Sequence, residues 1–371
     1  MGGAQYQIKC LLDHLTALNT CDIHYVARRA PDDENLDGYQ VHRIGQGRRT
    51  PRLGYTADAP ELYRTLKRLR PDVIYQRVGC AYTGVAALYA TRHKARLVWH
   101  ASSDADLARR SRIVRRNFLK RYLDDLLLSY GIRHADCVVV QSRQQARLLA
   151  ENYSRTPDAI IANFHPFPDH PVSSTRELRV LWIANFKRLK QPEVFVRLAR
   201  SLGDLKQVRF VMIGASAAGE GDAAWTADVL HQIADTPNVD YLGGLQQDQV
   251  NSELDRAYAL VNTSLYEGFP NTFIQAWLRE VPVLSLNVDP DGVLGQESVG
   301  IHAGDETALA ASLRLIVTDR QLRDELAGNA SRYARAFHSI DNARQLASLI
   351  GTLACGSPLD ADRSVPRRAP A

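Results

Sequence analysis

Short runs of apolar residues alternate with amphipathic stretches along most of the chain. Ile23–Ala27, Gln40–Ile44, Pro71–Tyr75, Arg96–Trp99, Asp136–Gln141 and Ile160–Asn163 read as strands. Between them, Pro60–Leu69, Gly84–His93 and a segment from Ser142 to about Ala150 carry helical periodicity. A helical pattern through Ile8, Leu11, Leu12 and Leu15 precedes the first of these strands. The same alternation resumes at Arg179, with strands at Val180–Ala184, Arg209–Ile213, Leu260–Thr263 and Pro282–Leu286. Leu309–Leu346 is helical and broken near His338. Strand, helix, strand in series predicts parallel sheets covered by helices on both faces. His165–Pro171 and Ser173–Thr175 interrupt all periodicity and read as a linker, so the chain divides into two α/β halves. The expected domains are 1–170 and 171–340, then a helix at 341–355 and a disordered tail at 356–371, rich in Pro, Arg and Asp.

Composition narrows the possibilities. A chain of 371 residues with 45% hydrophobic positions supports two globular cores. It has no run of about 18 apolar residues, so no helix is expected to span a membrane. Five scattered cysteines without a Cys-x-x-Cys pair read as reduced thiols and not as metal ligands. The net charge of +5 is modest, but it is concentrated in one place. Ala108–Leu128 packs seven Arg and Lys residues around Val114, Phe118, Tyr122 and Leu126. That pattern suits an anionic membrane surface, and equally a helix with a solvated basic face on a sheet. No nucleic-acid-binding motif accompanies it.

The densest chemistry lies at Tyr258–Val288. A strand enters the polar loop Ser264–Pro270, a helix starts at Asn271, and a second strand follows. Parallel sheets bind ligands where strands end, and first-turn N–H groups suit a diphosphate. Glu267 sits in this loop, followed by Gly268, Phe269, Pro270, Asn271 and Thr272. An earlier strand, Val180–Ala184, leads into a loop carrying Asn185, Lys187, Arg188 and Lys190. His100 closes another strand, and Gly2 and Gly3 open the chain.

Glu267-Gly268-Phe269-Pro270-Asn271 resembles the signature of the retaining glycosyltransferases of family 4, which have a Glu, seven intervening residues and a second Glu. The resemblance covers about residues 1–350 and implies a GT-B fold, with two Rossmann-like parallel-sheet domains facing a cleft and the helix at 341–355 returning to the first domain. It also implies hexose transfer from a nucleotide diphosphate sugar to a hydroxyl of a glycan or lipid-linked glycan, with retention and without metal or other cofactor. By that likeness Glu267, Gly268 and Phe269 position the sugar. The amides of Asn271 and Thr272, with Lys190 and Lys187 or Arg188, meet the diphosphate. Leu245 borders the base, His100 faces sugar or acceptor, and Gly2 and Gly3 approach the phosphate.

Two positions depart from the pattern: Gln275 stands where the second Glu is expected, and Asn185 where an Arg is expected. Neutral hydrogen bonds in place of charged ones reduce affinity by roughly tenfold. The family's first strand has no counterpart before Gly2, which raises the expectation of a shortened sequence. A cytoplasmic protein, peripheral on the inner membrane face, is the expected setting. The alternative is a catalytically weak or inactive glycosyltransferase-like scaffold or binding protein.

Overall fold

The computed structural model describes residues 3–28, 35–36, 38–45, 54–108, 118–170, 176–216 and 223–356. Two compact units divide the chain: Met1–Phe164 with Ile340–Ala371, and His165–Ser339. The boundary precedes the proline-rich segment rather than following it at residue 170. The tail beyond residue 356, Gly2 and the basic residues 109–117 lie outside the described residues.

In the second unit, six parallel strands lie in the spatial order Val239–Tyr241, Arg209–Ile213, Arg179–Ile183, Ala259–Asn262, Val283–Ser285, Gly300–His302. The alternation of side chains explains the packing. Val180, Trp182, Phe210, Met212, Val261 and Leu284 point to one face, where helices Pro192–Ser201, Ala223–Ala234 and Glu306–Thr318 cover them. Leu181, Val211, Ile213, Leu260 and Val283 point to the other, beneath Gln247–Arg256, Asn271–Trp277 and Arg320–Phe337. Trp182, Trp277, Phe195, Phe210 and Phe273 are fully buried. Each contributes roughly 1.5–3 kcal/mol of burial free energy or more, so this unit has ample core.

Strand order also sets where chemistry can occur. The chain runs outward from Arg179–Ile183 to one sheet edge, then returns to Ala259–Asn262 beside its starting strand and builds the other half. The order therefore reverses between those two central strands, and open α/β sheets bind ligands at such a reversal.

The first unit holds two sheet pieces among its described residues. One has the order His24–Ala27, Tyr39–Arg43, Asn35–Leu36; the other has Val73–Arg77, Arg96–His100, Cys137–Val140, Ala159–Ile160. All pairings are parallel except Asn35–Leu36 with Tyr39–Arg43. The returning helix, Asp341–Ala354, packs on this unit through Ala343, Leu346, Leu349 and Leu353, against Val98, Val139 and Phe164.

The helix Gln247–Arg256 has Gln246 as its cap. Gln249 accepts from the Gln246 amide, a reciprocal glutamine arrangement that composition does not advertise. The helix expected at Gly84 starts at Ala81, because Thr83 accepts from the Cys80 amide and caps the turn. The last strand of this sheet, Gly300–His302, follows the short helix Val293–Gln296.

Candidate active site

Two loops leave the reversal point of the second unit's sheet. One follows Arg179–Ile183 and tightens into a helical turn, Arg188–Lys190, with Gln191 left-handed at φ 46°. The other follows Ala259–Asn262 and ends at the helix Asn271–Trp277. They are tied together through backbone. The Leu265 N–H donates to Leu189 O at 2.8 Å. Thr263 Oγ1 lies 2.6 Å from Lys190 O and 3.0 Å from Gln191 O, and it accepts from Trp182 Nε1 at 2.8 Å. Thr263 is fully buried, so these bonds fix the height of the Lys190 turn.

That bracing brings together two residues 77 positions apart in sequence: Lys190 Nζ lies 2.7 Å from Glu267 Oε2. The pair is mostly shielded, with side-chain exposures of 20% and 17%. The other carboxylate oxygen, Oε1, accepts from Asn262 Nδ2 at 2.9 Å and Ser264 Oγ at 2.7 Å. Glu267 is thus an anchored carboxylate with a cation on its second oxygen, at the carboxyl end of a central strand.

The remaining expected positions of this unit differ in burial and in what they touch. Gly268 and Thr272 are half-buried in the same segment. Phe269 is buried, its ring 4.4 Å from that of His338 and 6.0 Å from that of Trp277, so the side chain packs inward. Pro270 caps the helix in extended conformation, which starts the first turn at Asn271. Gln275 is buried at 5% exposure in that helix. Leu245 packs with the cluster beneath the same helix.

Asn185 Oδ1 accepts from the Ala215 amide at 3.1 Å, so this residue knits two strand ends. Just beyond it, a Cβ on Gly214 would stand 1.8 Å from Ala184 O, which leaves room only for glycine. Arg188 lies over the Trp225 ring at 5.1 Å, whereas Lys187 is exposed.

Two expectations concern the first unit. Gly3 is the first residue of the helix Gly3–Leu18. His100 ends its strand but is 1% exposed, with Nδ1 2.9 Å from the Tyr75 hydroxyl. Burial, reinforced by the neighbouring Arg77 cation, holds its pKa well below the usual imidazole range, so it is neutral. It stands at the carboxyl end of its strand, as expected, and packs against Tyr75.

Asp104 and Asp106, the acidic pair closest to a metal-binding pattern, are engaged locally. Asp106 Oδ2 accepts from the Ser102 amide and hydroxyl and from the Ser103 amide, and Asp104 accepts from Gln145. Among the described residues, no group of three or more His, Cys, Asp or Glu side chains is arranged to hold a metal ion.

Asn262, Thr263 and Ser264 are site residues that sequence reasoning missed. Three polar residues directly after the buried strand segment Ala259–Val261 were the available signal, since buried polar groups at a strand end need partners.

Comparison with known proteins agrees with this architecture. Residues 2–163 match the family described as Glycosyl transferase 4-like domain, and residues 177–319 match Glycosyl transferases group 1. The chain belongs to the GT-B glycosyltransferases.

Among solved structures, sucrose-phosphate synthase from Thermosynechococcus elongatus superposes with a TM-score of 0.76, covering 96% of this chain and 94% of its own at 19% identity. HepE from Anabaena, solved with UDP and glucose, gives a TM-score of 0.72 over 95% and 96% at 16% identity. At these identities the likeness concerns the fold. Curated relatives match over shorter stretches. A glycosyltransferase 1 domain-containing protein from Xenopus tropicalis is 25% identical over 119 residues, 32% of this chain and 34% of that protein. An alpha-1,4-N-acetylgalactosaminyltransferase of a PP-undecaprenol-linked glycan, from Campylobacter jejuni, is 26% identical over 176 residues, 44% of this chain and 45% of that protein. The chain thus aligns with less than half the length of these two curated relatives. No helix among the described residues is long and apolar enough to cross a membrane.

Proposed function

We propose that this protein transfers a hexose from a nucleoside diphosphate sugar to a hydroxyl of a glycan or lipid-linked glycan, with retention of anomeric configuration and without a metal. The observation that carries the proposal is the Lys190–Glu267 pair at the reversal point of a doubly covered parallel sheet. On this reading the acceptor oxygen bonds to the anomeric carbon while the bond from that carbon to the phosphate oxygen breaks. The electron pair leaves with the diphosphate, and the acceptor proton passes to a phosphate oxygen.

Lys190 would offset the charge growing on that diphosphate, with Lys187 or Arg188 and the first-turn amides at Asn271 and Thr272 assisting. Glu267 would accept from a sugar hydroxyl, beside the Gly268 and Phe269 amides. Gln275 would bond the ribose, and Leu245 would border the base. By the same family resemblance His100, neutral and hydrogen-bonded to Tyr75, would act on sugar or acceptor, and Gly2 and Gly3 on phosphate. The names of the similar proteins support the substrate class: HepE was solved with UDP-glucose, and the Campylobacter enzyme acts on a lipid-linked glycan.

A cytoplasmic protein resting on an anionic membrane face belongs to the same proposal. Tyr122 and Leu126, spaced one helical turn apart on Phe118–His134, are about half exposed, at 50% and 49%. Exposed apolar side chains beside dense basic residues favour such a surface.

The test is donor turnover. Purified protein is incubated with glucose conjugates of UDP, GDP and ADP, and nucleoside diphosphate release is followed. One conjugate should be consumed, and Glu267→Ala should abolish most of that activity. Absence of release from all three, with folded protein and a lipid-linked glycan pool added, would leave a nucleotide-free binding protein as the better reading.

A further inference from the structure

We propose that Asn262 and Ser264 are positioning residues for Glu267: they hold its Oε1 so that Oε2 stays directed toward Lys190 and a donor-sugar hydroxyl. The proposal rests on the donor-site reading above.

The geometry is a closed network. Asn262 is the last residue of its strand and is 8% exposed, so the sheet fixes its backbone. The Ser264 N–H donates to Asn262 Oδ1 at 3.1 Å, which assigns the amide orientation and turns Nδ2 toward the carboxylate. Nδ2 then donates to Glu267 Oε1 at 2.9 Å and lies 3.3 Å from Ser264 Oγ. Ser264, 2% exposed, donates its hydroxyl to the same Oε1 at 2.7 Å. Asn287 Nδ2 donates to the Ser264 carbonyl at 3.2 Å and pins the turn from the neighbouring strand.

The two carboxylate oxygens therefore have different tasks. Each oxygen of an ionised carboxylate offers about two acceptor directions. Two buried donors fill those of Oε1. Oε2 has Lys190, which a diphosphate would also attract. When the ammonium turns toward phosphate, the Oε1 bonds keep the carboxylate in place, and Oε2 can accept from a sugar hydroxyl. Without them the side chain would be free to rotate as soon as Lys190 left. Positioning of this kind acts on the sugar and not on the nucleotide.

The experiment compares Ser264→Ala, Asn262→Ala and Ser264→Thr with the unaltered protein. The affinities of UDP, GDP and ADP are measured by calorimetry, and turnover is measured with their glucose conjugates. In the two alanine variants kcat should fall about tenfold or more, the effect of losing one hydrogen bond to a charged group, with nucleotide Kd within about twofold. Ser264→Thr, which keeps the hydroxyl, should recover most of the lost kcat. Unchanged turnover in both alanine variants would overturn the positioning role and leave the donor site standing. Loss of nucleotide affinity in parallel with kcat would also overturn it, because the residues would then merely hold the loops. If the unaltered protein neither binds nor turns over any probe, the donor reading fails and the positioning role falls with it.

Discussion

Replacing Lys190 with Ala separates what this residue does for the fold from what it does for a ligand. In the protein its ammonium lies 2.7 Å from Glu267 Oε2, with both side chains at or below 20% exposure. Exposed pairs contribute about 0.2–1 kcal/mol, and breaking a buried pair costs about 3–5. This pair lies between those limits, and Glu267 keeps two other donors on Oε1. A loss near 1–2 kcal/mol is therefore expected, or about 2–8 °C in the melting temperature of a unit this size. Loss of one charge-assisted contact to a diphosphate removes a further 1.5–3 kcal/mol of binding, a roughly 10- to 150-fold weaker Kd. Calorimetry with the nucleoside diphosphate that binds best, at a temperature where circular dichroism shows the variant folded, reads the second effect without the first. A Lys190→Ala protein that binds that nucleotide as tightly as the unaltered chain would refute the assignment of Lys190 to the diphosphate.

Other perturbations probe the scaffold. Gly214→Ala forces a Cβ into the Ala184 carbonyl and should destabilise the second unit by about 3–5 kcal/mol in denaturant unfolding. Thr263→Val leaves the Trp182 indole N–H and the Lys190 carbonyl without this partner, for a loss of about 1–3 kcal/mol and a measurable fall in nucleotide affinity. His165 is pushed down to about 3, first by burial and then by His338 and Arg279, against an opposing bond to Asn271. Its unfolded form binds a proton near pH 6.5, so stability should be lost as pH falls from about 6.5 toward 3, by up to about 1.4 kcal/mol per unit. His165→Leu should flatten that slope in urea titrations; an unchanged slope would contradict the assignment. Tyr122→Ser with Leu126→Ser should weaken sedimentation with anionic vesicles, and no salt-dependent binding by the parent protein would end the membrane proposal.

The two-half α/β organisation was legible because buried strands such as Val138–Val140 and Ala259–Val261 leave uninterrupted apolar runs between amphipathic helices. Glu267 was legible because its loop has a characteristic order of residues. Its contact with Lys190 was not. That distance depends on the strands Arg179–Ile183 and Ala259–Asn262 being neighbours, and local periodicity says nothing of sheet order. The buried support from Thr263 and Ser264 was hidden for the same reason: small polar residues after a strand look like an ordinary turn until their partners are placed. The surroundings of His100 were also not legible. Its strand-end position could be read from the chain, but its protonation state depends on burial and on a hydrogen bond with Tyr75, 25 positions away.

The most direct test of the central claim is calorimetric titration of the folded protein with UDP, GDP and ADP. The account predicts that one of them binds with a Kd in the micromolar range, a binding free energy of about 8 kcal/mol, and that Lys190→Ala weakens that nucleotide at least about tenfold. No binding of any of the three to folded protein would contradict it.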